Sequence, residues 1–172
     1  MKVRCEDCRQ AMTVRRATIE HPYHFLESGL PEIYLSGIKV YRCPGCGEES
    51  GVLPQIESLM TGIAQTLLSK PGMLAGPEVR YLRKHANWQA KELAGFLGMD
   101  PAYFSRVENG KVANLGDAAD LLIRLLVREA TMKVKHGREA LDMFVSAIRN
   151  GQERAEAPLF RFTSKQEWHV AA

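Results

Sequence analysis

The sequence predicts a mainly α protein with a small β-rich module on its N-terminal side, and three observations carry that expectation. All four cysteines fall between residues 5 and 46, as two C-x-x-C pairs. The same stretch is rich in β-formers and broken by turn residues, with Gly29-Leu30-Pro31 and Ser36-Gly37 flanking short runs such as Ile38 to Tyr41. From Pro54 onward, apolar residues recur at the period of a helix with one buried face. Of 172 residues, 45% are apolar and 25% charged, enough of each for the core and surface of a soluble globular protein.

The N-terminal module is expected to span residues 1–54. Cys5-Glu6-Asp7-Cys8 and Cys43-Pro44-Gly45-Cys46 each allow a tight turn to aim two thiolates at one ion. Tetrahedral zinc takes four such ligands, and a site filled in this way keeps no open position. One structural Zn2+ per chain is therefore expected on Cys5, Cys8, Cys43 and Cys46. Gly45 and Gly47 favour the second turn, where backbone N–H groups must approach sulfur and the chain must pass through positive φ. A redox dithiol is the alternative, but it belongs beside a βαβ pattern, which is absent. Residues 9–42 separate the pairs, more than the roughly 15–20 residues of a minimal zinc ribbon, so the insert is expected to form its own hairpin. His21 and His24 lie within it and are read as surface or packing residues, because four thiolates already fill the site. So small a module buries too little apolar surface to stand alone, and metal ligation should supply much of its folding free energy.

Residues 55–75 read as a connecting helix and linker: Ile56, Leu59, Met60, Ile63, Leu67 and Leu68 share one face until Lys70-Pro71-Gly72 stops them. Pro77 suits the first turn of the next helix, where its missing N–H costs nothing. Residues 76–130 then fit a helix-turn-helix. Leu82 and Ala86 lie on a first helix, Leu93-Ala94 and Leu97-Gly98 on a second, and Phe104 and Val107 on a third. Gly98 supplies the left-handed residue that ends the second helix, and Asp100-Pro101 supplies the N-cap and first position of the third. Glu108-Asn109-Gly110 closes that helix, and Lys111 follows where a phosphate contact fits. The run from Gly116 to Lys135, with Leu121, Leu122, Leu125 and Leu126, reads as helical. So does a later run carrying Leu141, Phe144, Val145 and Ile148, which places a helical extension and tail of unassigned role at residues 131–172. Pro158, Phe160, Phe162, Trp168 and Val170 give that tail a strand-like alternation.

Arg83, Glu92-Leu93-Ala94, Leu97-Gly98, Phe104-Ser105-Arg106 and Glu108-Asn109-Gly110 resemble the Xre/Cro helix-turn-helix pattern. With the cysteine pairs ahead of it, the stretch from residue 1 to about 130 resembles the MqsA (YgiT-type) antitoxins. The resemblance implies an N-terminal zinc domain that neutralises an mRNA-cleaving toxin and an Xre domain that dimerises and represses its own promoter. It also implies base reading at Ala102 and Arg106, and a partly buried ion pair between Arg83 and Glu108. Tyr103 would stack on a sugar or phosphate or cover the domain surface. Two departures stand out. Ala102 occupies a position where relatives often carry a polar reader, and it would touch only a thymine methyl. Gln89-Ala90 replaces the usual Ser, Thr or Asn cap and its following glutamine.

The expected function is a sequence-specific DNA-binding transcriptional regulator, an autorepressor acting as a homodimer on a palindromic double-stranded operator. Its zinc domain is available to a ribonuclease toxin. The alternative is a protein-interaction module or an orphan regulator with no toxin. Catalysis is not expected, since the thiolates are structural and no acid-base pair stands out. Net charge is only +3, which permits a nucleic-acid partner without requiring one. Met1 to Cys8 carry no apolar run of a secretory signal, and Arg124 breaks the longest apolar stretch well short of a membrane helix. A cytoplasmic location is expected, where the thiols stay reduced.

Overall fold

Seven strands and five helices make up residues 3–113, 115–131 and 158–171, the part of the chain that the computed structural model describes. The amphipathic run expected around Leu141 to Ile148 lies outside those residues. The chain divides into two compact units, residues 1–62 with 157–172 and residues 63–156.

In the first unit, β1 (Thr13–Arg16) pairs antiparallel with β4 (Lys39–Arg42), whose other edge takes β5 (Glu49–Gly51). Side-chain alternation sets the faces of this sheet. Val40 is fully buried while Val14, one pair along, points outward. The second sheet runs in the order β2 (Tyr23–His24), β3 (Tyr34–Ser36), β6 (Leu159–Phe162), β7 (Trp168–Ala171).

The insert between the cysteine pairs is therefore not a single hairpin. β1 and β4 pair directly with each other, and Ala17 and Ile38 extend the ladder by a 2.9 Å bond. The residues between them are pushed out to form β2 and β3 in a separate sheet. There the region expected only as an alternating tail completes the structure: β6 pairs in parallel with β3, setting Phe160 beside Leu35, and both side chains are buried. Trp168 Nε1 donates to the Pro54 carbonyl at 3.0 Å, tying β7 to the chain before the first helix. Gly37, at φ 82, allows the close approach, because a Cβ there would collide with the Phe162 carbonyl oxygen.

The second unit is helical. It receives the end of α1 (Ile56–Ser69) and contains α2 (Gly76–His85), α3 (Ala90–Phe96), α4 (Pro101–Glu108) and α5 (Asp117–Thr131). Val79, Leu82, Leu93, Ala94, Phe104, Val107, Ile123 and Val127 form its apolar core. Gln89 carries no capping hydroxyl, and the cap is built from the other side: the Glu92 carboxylate accepts the Gln89 N–H at 2.6 Å. Glu78 does the same for Ala75 at 2.7 Å.

Arg124, read from sequence as an interruption of an apolar run, is completely buried. Its Nε donates to Asp120 Oδ2 at 2.8 Å, one turn earlier on α5. Nη1 donates to the carbonyls of Leu67, Leu68 and Lys70, and Nη2 to that of Gly72. Asp120 Oδ1 accepts the Leu74 N–H at 2.7 Å. The pair thus satisfies the orphan carbonyls at the C-terminus of α1 and the loop after it. Leu122 is the exposed member of the α5 leucines, with Leu121, Leu125 and Leu126 half-buried. Among the described residues, no helix is long and apolar enough to cross a membrane.

Arg124→Ala should destabilise the helical unit by about 3–5 kcal/mol, because Asp120 is left as an uncompensated buried charge. Arg124→Lys should recover little, since an ammonium lacks the fork that reaches carbonyls on both sides. Chemical denaturation followed by circular dichroism checks both, and an unchanged midpoint would contradict the account. Gly37→Ala should weaken the pairing of β3 with β6, visible as faster amide hydrogen exchange at Leu35 and Phe160 than in wild type.

Candidate functional site

Each C-x-x-C segment folds as the same turn. After the first, the Cys5 N–H bonds to the Gln10 carbonyl at 2.9 Å and the Arg9 N–H to the Cys5 carbonyl at 3.0 Å. After the second, the Cys43 N–H bonds to the Glu48 carbonyl at 2.8 Å and the Gly47 N–H to the Cys43 carbonyl at 3.0 Å. Arg9 (φ 62) and Gly47 (φ 80) occupy equivalent left-handed positions. The glycine was legible as a turn signal. Arg9 was not, because a non-glycine residue in that conformation leaves no mark in the sequence.

The two turns bring Cys5, Cys8, Cys43 and Cys46 together, with all four sulfurs within 4.8 Å of one another. Cys5 and Cys46 lie 3.5 Å apart, Cys8 and Cys43 3.2 Å, and Cys8 and Cys46 3.8 Å. No disulfide joins them. These are near the edges of a tetrahedron whose centre lies about 2.3 Å from each sulfur, as a thiolate-bound ion requires. The four residues are close enough to coordinate one metal ion. Cys5 and Cys43 are buried, while Cys8 and Cys46 reach the surface. The Cys46 N–H, hydrogen-bonding to the Cys43 sulfur, pulls that thiol down to about 6.

The histidines of the insert stay out of this cluster. His24 stacks on Tyr34 at 4.8 Å and its Nε2 lies 2.7 Å from the Pro31 carbonyl, while His21 is exposed. Sequence reasoning did not find Arg15 and Glu49, which join β1 to β5 across β4. Arg15 Nε and Nη2 meet Glu49 Oε1 and Oε2 at 3.1 and 2.8 Å, and Nη1 donates to the His21 carbonyl. Those bonds hold the Glu49 carboxyl below its ordinary range.

On α4 the structure places Ala102, Tyr103 and Arg106 one turn apart, with Ala102 and Arg106 exposed and Tyr103 half-buried. Asp100 caps the helix by accepting the Tyr103 N–H at 2.9 Å, and Pro101 takes the first position. At the other end the Lys111 N–H bonds back to the Arg106 carbonyl at 2.8 Å, and the Lys111 side chain is exposed. Arg83 grips Glu108 through two bonds, at 2.7 and 3.1 Å, and also donates to the Trp88 carbonyl. The ion pair fixes α2 against the buried side of α4 and so orients the exposed one. α3 meets α4 through Leu97-Gly98-Met99-Asp100, with Gly98 at φ 63 reversing the chain.

No family model, curated protein or solved structure matches this chain.

Freshly purified protein should contain one metal ion per chain, and Cys43→Ser should abolish stoichiometric binding. Chelation should unfold the first unit while α2 to α5 keep their helical signal, since only the former relies on the ion. Elemental analysis with residue-resolved NMR reads both, and retention of the β1–β4 ladder after chelation would refute the dependence.

Proposed function

We propose that this chain is a sequence-specific DNA-binding transcriptional regulator that carries one structural zinc ion. The observation that carries the reading is the exposed face of α4. Ala102, Tyr103 and Arg106 project from a short helix capped by Asp100 and braced from behind by the Arg83–Glu108 pair, the presentation a recognition helix needs in a major groove. In this reading α3 and α4 form a helix-turn-helix of the Xre/Cro type. Arg106 donates two hydrogen bonds to guanine O6 and N7, Ala102 contacts a thymine methyl, and Lys111 attracts a backbone phosphate. Zinc is the metal proposed for the cluster because four thiolates and no other donor suit a closed tetrahedral site.

The remaining elements of the proposal rest on the resemblance to MqsA-type antitoxins. They comprise a cytoplasmic homodimer on a palindromic operator, autorepression, and a ribonuclease toxin as partner of the N-terminal module. The outward leucine Leu122, beside half-buried Leu121, Leu125 and Leu126, supports a dimer through α5. No catalytic step is assigned to any residue.

Arg106→Ala should cost roughly 1–3 kcal/mol on the operator and relax discrimination at one base pair per half-site. Lys111→Ala should weaken operator and scrambled duplex alike and lower the salt slope by about one unit. Binding titrations at several salt concentrations separate the two. Equal losses on both duplexes for Arg106→Ala would remove it from base reading, and absence of DNA binding by the wild type would return the chain to an interaction module.

A further inference from the structure

We infer that Tyr103 is a positioning residue for Arg106, its ring restraining the guanidinium on the outer side of α4 before any base is met. The inference rests on the proposed reading of α4 as a recognition helix. Arg106 Cζ lies 5.8 Å from the centroid of the Tyr103 ring, inside the roughly 6 Å over which the ring quadrupole attracts a cation. The i, i+3 spacing makes the two side chains neighbours on successive turns.

The two partners are held unequally. Tyr103 is half-buried, and its backbone N–H is fixed by the Asp100 carboxylate. Arg106 is exposed, and among the described residues its side chain makes no ion pair. An arginine left alone samples many rotamers and surrenders that freedom when its fork docks on guanine. An anchored ring beneath it removes part of that loss in advance. The ring face does this without the hydroxyl. A direct contact of Tyr103 with a sugar or phosphate would instead need the hydroxyl, so ring and hydroxyl can be tested apart.

The experiment uses the full-length, metal-loaded protein and an operator duplex that the wild type enriches from a randomised pool. Affinity for this duplex and a scrambled one is measured for wild type, Tyr103→Phe, Tyr103→Leu, Arg106→Ala and the Tyr103→Leu/Arg106→Ala double variant. Tyr103→Phe should bind like wild type. Tyr103→Leu should lose roughly two- to fivefold on the operator, the size of an exposed cation–π contact, and little on the scrambled duplex. In the Arg106→Ala background the same change should cost nothing further. In the free protein, ring-current shifts should move the Arg106 δ-methylene protons upfield in wild type and Tyr103→Phe but not in Tyr103→Leu.

A loss in Tyr103→Phe matching that in Tyr103→Leu would make the hydroxyl a DNA contact and overturn the inference. So would a Tyr103→Leu penalty that persists without Arg106, or the absence of the upfield shift. Failure of the wild type to enrich any duplex would sink the DNA reading itself, while the proton shifts would still decide whether the ring holds the guanidinium.

Discussion

A buried guanidinium holds the helical unit together. Arg124 is fully enclosed, paired with the Asp120 carboxylate, and four backbone carbonyls complete its hydrogen bonds. The Leu67 carbonyl also accepts the Lys70 N–H at 3.3 Å, so the guanidinium reinforces the last turn of α1 as well as the loop after it. The loop that follows delivers the chain to Ala75, where α2 begins, and α2 carries the arginine that braces α4. Polar contacts therefore link α5 to the end of α1 and the loop before α2, and α2 to the buried side of α4. Apolar packing alone specifies such a small core less sharply, because hydrophobic contacts have no direction. The buried pair does have one, because its donors must point at the Asp120 carboxylate and at carbonyls in fixed places.

The first unit relies on a different polar cluster with the same logic. Its strands are two to four residues long, and its apolar core gathers Tyr23, Phe25, Leu35, Ile38, Val40 and Phe160. Four sulfurs drawn from two separated turns join its ends, and the Arg15–Glu49 fork links the outer strands of the first sheet. The depressed carboxyl of Glu49 gives this link a sign. It adds stability while the unfolded chain would still carry a charged glutamate, and the contribution fades as pH falls through the folded group's own range.

Features with a local chemical cause were legible in the sequence. The cysteine spacing announced the cluster, and Gly98 and Asp100-Pro101 marked the junction between α3 and α4. The helical period located Leu59, Ile63, Leu67 and Leu68 on the buried face of α1, though Ile56 is exposed and on α5 the buried apolar residues are Ile123 and Val127 rather than the leucines. What was missed depends on distant partners. The parallel pairing of β3 with β6 has no local signal, because neither strand knows from its own residues which edge it will meet. Arg124 looked like an interruption because burial of a charge is decided by carbonyls more than fifty positions away, such as that of Gly72. The one available clue was the Asp120–Arg124 spacing of four on the same helix. The caps at Ala75 and Gln89 were likewise written three residues downstream, in Glu78 and Glu92, rather than in the capping residues themselves.

The pairing of β3 with β6 also orders events during synthesis. β3 leaves the ribosome early, while the strand it needs is encoded after the whole helical unit. Helices α2 to α5 lie between β3 and β6 in the sequence, so the second sheet cannot be completed until residues 159–162 have been translated. During that interval the edge of β3 and the face carrying Leu35 lack their native cover, a window in which a chaperone or another strand has access. A ribosome paused before residue 159 would therefore hold a nascent chain whose second sheet is unfinished.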